Sequence, residues 1–152
     1  MSPALLLQAL RSRLCPTLTP REAEHIAGAT VPQRVAAGGK IVHEGDPASG
    51  LIFLVHGEAE ILKDTPGGGS QLVAVVQGPI MVGEISLLTG HPVSATVRAR
   101  TDCECHVLTR SQFQRLVDEM YPGIYKLVLA MAQLLAGRLT ATNERIIALS
   151  QD

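Results

Sequence analysis

The sequence predicts a mixed α+β fold in which an antiparallel β-sandwich or barrel lies between helical ends. Apolar residues recur at helical spacing near both termini, whereas residues 31–108 form short β-type runs separated by glycine, proline and aspartate. With 152 residues, of which 46% are hydrophobic, the chain is long enough to bury one core. We therefore expect a single domain over 1–152, with helices in 1–30 and 109–152 on either side of the β-structure.

Two helices are predicted at the N-terminal end. The first carries a leucine stripe that comprises Leu5, Leu6, Leu10 and Leu14. Pro16 interrupts it, and the second helix begins after Thr19, a candidate N-cap, with Pro20 at the first helical position. Glu22 follows the cap by three residues, a spacing that is typical of a capping box.

The central region is predicted to consist of short antiparallel strands. Its β-type runs are "KIVHEGD", "LIFLVHGEAEIL", "QLVAVV" and "VSATVRARTDCECHVL", and the stretches "DPASG" and "KDTPGGGSQ" are predicted turns. In the last run Val97 and Ala99 share one face, while Arg98 and Arg100 share the other, because side chains alternate along a strand. Strands at this regular spacing indicate an antiparallel sandwich or barrel.

Helical periodicity returns after Thr109. Ser111 is a candidate cap for "QFQRLVDEM", and a longer helix begins after Pro122. Its apolar stripe comprises Ile124, Leu127, Met131, Leu134 or Leu135, Leu139, Ile146 and Leu149. A stripe of about 25 residues spans roughly 38 Å, which is long for a chain of this size. Its distal part therefore either packs on a second copy or folds back over the β core.

Composition and charge argue against several classes of protein. A net charge of −1 and the scarcity of aromatic residues argue against nucleic-acid binding. The three cysteines, Cys15, Cys103 and Cys105, have no framework spacing, which favours a reducing cytoplasm. We predict neither a signal peptide nor a window of the ~20 apolar residues that a membrane helix needs. The expected protein is cytoplasmic and binds no membrane.

Neither a metal site nor a catalytic site is predicted. In the segment "CECH", strand alternation places Cys103 and Cys105 on one face and Glu104 and His106 on the other, so the four side chains cannot converge on one ion. The stretch "TPGGGSQ" lacks the Gly-Lys-Ser/Thr ending of a phosphate-binding loop. Since no Ser-His-Asp or Cys-His arrangement is evident either, we expect a protein that is not an enzyme.

The segment "VGEISLLTGHPVSATVRA" has the features of an anion-binding loop. Gly83 allows a backbone geometry that brings amides close to a ligand. Ile85, Ser86 and Leu87 are predicted to begin a short helical turn whose N–H groups point at an anion. Yet no lysine or arginine occurs anywhere in 79–97.

The order of helices, β-roll and two further helices resembles the cyclic nucleotide-binding domain family over nearly the whole chain. The stretch "GGKIVHEGDPASGLIFLVHGEAEIL" is similar to the first half of that domain, with Gly39, Gly45 and Gly57 at its turn glycines and Asp46 beside the second. The segment that begins "VGEISLLTG" resembles its phosphate-binding cassette without insertion. The resemblance implies a jelly-roll-like β-roll, or double-stranded β-helix, flanked by N-terminal helices and two C-terminal helices, as in the sensor domain of catabolite-activator-type regulators. It implies cAMP or cGMP as the ligand.

The resemblance also assigns candidate ligand-binding residues, which are Gly83, Glu84, Ile85, Ser86, Val93, Ser94 and Ala95. Glu84 corresponds to the glutamate that binds the ribose 2′-hydroxyl in the family. Val93 stands at the position of the arginine that pairs with the cyclic phosphate. Removing one member of a buried ion pair costs ~3–5 kcal/mol, or about two to four orders of magnitude in affinity.

Three interpretations follow from this substitution. The domain still binds a cyclic nucleotide weakly, through backbone amides, Glu84 and Ser94. Alternatively, the pocket holds a less charged ligand or none. In the third interpretation another cation replaces the arginine, with His91, Arg98 and Arg100 as candidates. We disfavour the third, because the two arginines lie on the face of their strand opposite to its apolar residues.

We therefore expect a regulatory module for signal transduction, which binds cAMP or cGMP weakly and signals by repositioning its C-terminal helix. The alternative is a protein-interaction or dimerisation module with a degenerate pocket. In either case the macromolecular partner is a second copy or another protein bound by that helix. Only "ALSQD" follows the helix, too short for a DNA-binding module. The chain is then either a standalone sensor or adaptor or a piece of a longer protein, and its Met1 start favours the first.

Overall fold

A computed structural model describes residues 3–150 and confirms the mixed α+β class with a β-roll at its centre. The helices are α1 (Pro3–Ala9), which continues as a π-helical segment (Leu10–Leu14), α2 (Pro20–Gly28), α3 (Glu84–Thr89), α4 (Arg110–Asp118) and α5 (Pro122–Ser150). The strands are β1 (Val31–Val35), β2 (Lys40–Val42), β3 (Gly50–His56), β4 (Glu58–Asp64), β5 (Ser70–Gln77), β6 (Ile80–Val82), β7 (Thr96–Ala99) and β8 (Cys103–Thr109). In α5, the side chains of 142, 145–147, 149 and 150 lie outside the described part, and so do the predictions for Ile146 and Leu149.

The strands form two antiparallel sheets of four strands each, with the orders β1-β8-β3-β6 and β2-β7-β4-β5. The facing sides of the two sheets enclose an apolar core that comprises Val35, Ile41, Ile52, Leu54, Ala59, Val82, Val97, Ala99, Cys103, Cys105 and Val107. The helices pack on the outer face of the first sheet.

Strand β3 is buried on both faces, which explains its unbroken apolar sequence. Leu51, Phe53 and Val55 belong to the core formed with the helices, whereas Ile52 and Leu54 belong to the core inside the roll. A half-exposed strand would instead alternate apolar and polar residues. This strand holds the helical layer and the roll together.

The predicted capping box of α2 is confirmed. The Glu22 amide donates to Thr19 Oγ1 (3.1 Å), and the Thr19 amide donates to Glu22 Oε1 (2.8 Å). Lys126 Nζ of α5 donates to the same Glu22 oxygen (2.7 Å), and this hydrogen bond lowers the pKa of Glu22. The capping carboxylate thus also fixes α5 against α2.

The N-cap of α4 is Thr109, and the prediction of Ser111 is wrong by two positions. The Gln112 amide donates to Thr109 Oγ1 (3.3 Å), and the helix begins at Arg110. Thr109 is also the last residue of β8. The strand therefore passes directly into the helix, with no loop in which Ser111 could act as a cap.

Helix α5 packs on the rest of the chain mainly through its first half. Ile124, Leu127 and Met131 are fully buried, Leu134 is half-buried, and Leu139 is 62% exposed. These residues lie before the distal part of the stripe, so folding of that part back over the core stays a prediction. Packing of the distal part on a second copy remains a prediction.

The segment Pro122–Ala141 of α5 is long and apolar enough to cross a membrane, so the prediction that no such window exists is wrong. The core helix of a globular protein can pass the same test. Here Ile124, Leu127 and Met131 lie in the apolar core, and Lys126 pairs with Glu22. These contacts make the first half of α5 an integral part of the fold.

His106 on β8 is expected to make the stability of the fold depend on pH. Its side chain is 5% exposed, and among the described residues its Nε2 atom has no hydrogen-bond partner. Burial lowers the pKa of His106, against the smaller opposing effect of Glu104. The folded state therefore favours the neutral imidazole. Its contribution to stability is complete above the unfolded-state pKa of about 6.5 and is lost as the pH falls from there through the folded-state pKa.

We expect the thermal midpoint of the wild-type protein to fall between about pH 7.5 and about pH 5.5, and the fall to be smaller in His106→Gln. The comparison within each protein removes any constant effect of the substitution on packing. His91→Gln, at an exposed position, serves as the matched control and should follow the wild type. An equal fall in wild type and His106→Gln would exclude His106 as the titrating group.

Candidate functional site

The predicted site residues surround one cavity of about 150 Å³ at the end of the roll. All seven line it, namely Gly83, Glu84, Ile85, Ser86, Val93, Ser94 and Ala95. The rest of the wall comprises Val42, Ala48, Ser49, Gly50, Ile61, Val82, Val97 and Arg138. The structure therefore brings the two ends of the predicted cassette together, while the binding role of its residues stays a prediction.

Gly83 begins the cassette in a left-handed conformation, with a φ of +87°. A Cβ atom at this position would lie 3.0 Å from the carbonyl oxygen of Gly50, so both the backbone angle and the close approach favour glycine. The short helix α3 follows at once, and it places its first residue, Glu84, in the cavity wall. The helical turn that the sequence predicts is confirmed.

The amide of Leu87 does not point at a ligand, which corrects the prediction for this residue. It donates to the carbonyl oxygen of Gly83 (3.1 Å), within the first turn of α3. The Ser86 hydroxyl donates to the carbonyl oxygen of Pro92 (3.3 Å) and ties the start of the cassette to its end. Amide contacts to a ligand are accordingly expected from Ile85 and Ser86.

Val93 lies in the cavity wall and is half-buried. Its carbonyl oxygen accepts from the amide of Gly45 (2.8 Å), and its own amide donates to the carbonyl oxygen of Asp46 (2.9 Å). These two bonds fix the main chain at position 93 whatever the side chain is. The wall is thus apolar where the resemblance places a phosphate-binding arginine.

None of the three cations considered as replacements lines the cavity. Arg98 Nη2 pairs with Glu60 Oε2 (2.8 Å), and Arg100 Nη1 lies 3.9 Å from Glu58 Oε2. His91 is exposed. The two arginines point away from the cavity because Val97, which directly precedes Arg98, faces it, and side chains alternate along the strand.

Among the residues that the structure describes, the cation in the cavity wall is Arg138 of α5, which was not among the predicted site residues. Its guanidinium donates to the carboxylate of Glu84. The Glu84 side chain is 3% exposed and that of Arg138 41%, so the pair joins a buried carboxylate to an exposed guanidinium. A buried carboxylate needs such a partner, because an isolated ionised group is costly to remove from water. The cavity wall is therefore charge-balanced.

A sequence signal for Arg138 exists. The residue follows Met131 by seven positions and Ile124 by fourteen, so it continues the face of α5 that is buried in the core. An arginine on an otherwise apolar face needs an anionic partner in the fold. The pattern predicts that need, although it does not identify Glu84 as the partner.

Within 3–150, no group of three or more His, Cys, Asp or Glu side chains among those described is arranged to hold a metal ion. Cys103 and Cys105 both lie in the core of the roll. Burial raises the pKa of Cys105 to about 12, so this thiol is protonated at neutral pH.

Comparison of the sequence with known proteins gives matches in regulatory domains. The family model described as cyclic nucleotide-binding domain matches residues 32–120, more than half of the chain. The chain is 37% identical over 101 residues to a cAMP-dependent protein kinase regulatory subunit of Hypocrea atroviridis. This match covers 66% of the chain but only 21% of that protein, so the chain spans about a fifth of the relative's length.

Solved structures show the same architecture. A cyclic nucleotide-binding domain from Methylobacillus flagellatus superposes with a TM-score of 0.84 at 25% identity, over 96% of this chain and 83% of that one. The Thermus thermophilus catabolite activator protein gives a TM-score of 0.78 at 26% identity, over 91% of this chain and 63% of that one. The chain belongs to the cyclic nucleotide-binding domain family.

Proposed function

We propose that this domain binds a cyclic nucleotide, cAMP or cGMP, in the cassette cavity and transmits its presence through α5 as a regulatory module rather than an enzyme. The observation that carries the proposal is the contact between Glu84 and Arg138 in the cavity wall. A ligand that reaches Glu84 must also meet the side chain of α5. Binding and helix position are thereby linked.

Each cassette residue would contact a different part of the ligand. Glu84 accepts a hydrogen bond from the ribose 2′-hydroxyl, and the amides of Ile85 and Ser86 donate to the phosphate. Ser94, which is exposed at the cavity rim, offers a hydroxyl to phosphate or base. Gly83 and the small Ala95 leave room for the ring system.

Affinity is expected to be weak. Val93 gives the phosphate no charge, and the loss of one partner from a buried ion pair costs ~3–5 kcal/mol. At ~1.4 kcal/mol per tenfold change, a micromolar site becomes millimolar. A regulatory role at such affinity requires a high local ligand concentration.

The cavity must also enlarge. Its volume of about 150 Å³ is below the range of roughly 300–1,000 Å³ that ligand pockets occupy. Arg138 contributes part of the wall, so a movement of α5 is a direct way to open the site. A closed state without ligand and an enlarged state with ligand, in which α5 has shifted, form the two-state element that signalling needs.

The test is a titration of the protein with cAMP, cGMP and 2′-deoxy-cAMP. Binding is monitored through NMR chemical shifts, which detect millimolar affinities. Removing the 2′-hydroxyl, or introducing Glu84→Gln, should weaken binding about tenfold, the effect of losing a hydrogen bond to a charged group. Glu119→Gln, which removes an exposed carboxylate of an ion pair beside α4, is the matched control and should bind as the wild type does. Equal affinities for cAMP and 2′-deoxy-cAMP would show that Glu84 does not bind the ribose 2′-hydroxyl.

Hydrogen exchange tests the signalling step in the same samples. Saturating cAMP should change amide protection along Ile124–Leu139 of α5, where the helix meets the core and the cavity wall. Unchanged protection of this segment at saturation would refute transmission through α5.

A second candidate function is protein interaction through α5, and the exposed apolar side chains of this helix favour it. Tyr125 is 51% exposed, Leu129 58% and Leu139 62%. Contact with a second copy of the chain or with another protein would cover them. This candidate function is compatible with ligand sensing, and together they describe a cytoplasmic regulator without a nucleic-acid-binding role.

A further inference from the structure

Among the residues that the structure describes, the cavity wall contains one pair of opposite charges. Glu84 and Arg138 are the only charged residues among those that line it in the described part of the chain. An anionic ligand therefore adds a negative charge to a wall that is already balanced. Some cation must turn towards it, because a buried anion without a partner is costly.

Two other cations near the cassette, Lys63 and Arg98, are engaged outside the wall. Lys63 Nζ donates to the carbonyl oxygen of Ser94 and lies 3.6 Å from Glu44 Oε1. Arg98 pairs with Glu60 at 2.8 Å. Neither Lys63 nor Arg98 lines the cavity.

The guanidinium of Arg138 is chemically suited to bind two anions. It carries five N–H donors in a planar fork, and this fork matches both carboxylate and phosphate. One edge contacts Glu84 in the closed site. A phosphate placed beside Val93 would lie in the same cavity as this guanidinium.

We propose that Arg138 recognises the anionic group of the ligand in place of the arginine that the cassette lacks at position 93. The charge that selects a cyclic nucleotide over a neutral nucleoside thus resides on α5 and not in the cassette. In the bound state the guanidinium bridges the Glu84 carboxylate and the cyclic phosphate. The position of α5 then depends directly on the ligand's charge. This inference rests on the proposed function.

The test compares cAMP with adenosine, which has the same base and 2′-hydroxyl but no phosphate. Arg138→Gln should weaken binding of cAMP about 10- to 100-fold and of adenosine less than about threefold, since only cAMP loses a charged hydrogen bond. Arg138→Lys keeps the charge without the fork and should retain a preference for cAMP. Arg115→Gln, which removes an exposed arginine of α4, is the matched control and should alter neither affinity.

The same pair of ligands is then measured in the Val93→Arg background. A cassette arginine supplies the phosphate contact there, so Arg138→Gln should weaken cAMP binding less than about threefold. This non-additivity separates anion recognition from a general effect of Arg138 on the fold. Should Arg138→Gln fail to fold, as judged by thermal melting, Arg138→Lys decides, and equal affinity of that variant for cAMP and adenosine contradicts the proposal.

Two results would overturn the inference in different ways. If Arg138→Gln binds cAMP as tightly as the wild type or more tightly, Arg138 only closes the site, and the proposed function survives without this inference. If neither the wild type nor Val93→Arg binds cAMP, the proposed function itself fails and the inference fails with it.

Discussion

Val93→Arg is expected to raise the affinity for cAMP about 100-fold. A charged hydrogen bond contributes ~1.5–3 kcal/mol net, which corresponds to about 10- to 150-fold in affinity. The main chain at this position is already held by bonds to Gly45 and Asp46, so the longer side chain can enter without moving it. The gain in affinity is expected near the lower end of the two to four orders of magnitude that a missing ion-pair partner costs, because Arg138 already places a positive charge in the cavity.

Isothermal titration calorimetry with cAMP and adenosine measures this gain. Val93→Leu is the matched control, since it adds bulk without charge and should leave cAMP binding near the wild-type value. Adenosine should gain little from the arginine, because it has no phosphate. If the wild type binds cAMP with micromolar affinity and Val93→Arg does not bind it more tightly, the valine does not weaken cAMP binding.

The features that the sequence predicts well depend on neighbours in the chain. The capping box of α2 involves Thr19 and Glu22, three positions apart, and its two hydrogen bonds are those expected from the spacing. The alternation in β7 places Val97 towards the cavity and Arg98 outside for the same reason. Local geometry determines both.

The features that the sequence misses depend on how distant elements meet. Glu84 and Arg138 are 54 positions apart, and their contact requires α5 to cross the cassette at one rotation about its axis. Helical periodicity places Arg138 on the buried face but contains no information on what that face meets. Similarly, Thr109 and Ser111 are both good caps. The choice between them depends on where β8 ends.

A close approach of three chain segments at Gly50 is likewise not evident from the sequence, where this glycine is the last residue of the predicted turn "DPASG". Its φ is +146°, a backbone conformation that other residues rarely adopt. A Cβ here would overlap the carbonyl oxygen of Leu108 and lie 2.8 Å from Thr109 Cα. The Gly50 carbonyl oxygen in turn lies 3.0 Å from where a Cβ of Gly83 would be. The start of β3 thus has β8 on one side and the cassette on the other.

Gly50→Ala is therefore expected to destabilise the fold by about 4 kcal/mol, the sum of ~1–3 kcal/mol for the strained backbone and ~1–3 kcal/mol for overpacking against rigid main chain. For a chain of this length the thermal midpoint should fall by about 8–16 °C. Two alanine variants in the hairpin between β4 and β5 separate the causes. Gly68 has a φ of +86° and Gly67 has no left-handed φ, and a Cβ at either position has no atom within 4 Å.

The three variants should thus rank by mechanism, in measurements of thermal and urea unfolding. Gly67→Ala should change stability by less than about 0.5 kcal/mol, as surface substitutions do, and Gly68→Ala should cost about 1 kcal/mol through backbone strain alone. Gly50→Ala should exceed the cost of Gly68→Ala by the overpacking contribution. Equal losses in Gly50→Ala and Gly68→Ala would mean that β8 moves aside at little cost. The contact that fixes the cassette against the strands of the roll would then be soft, and the cavity could open there without any movement of α5.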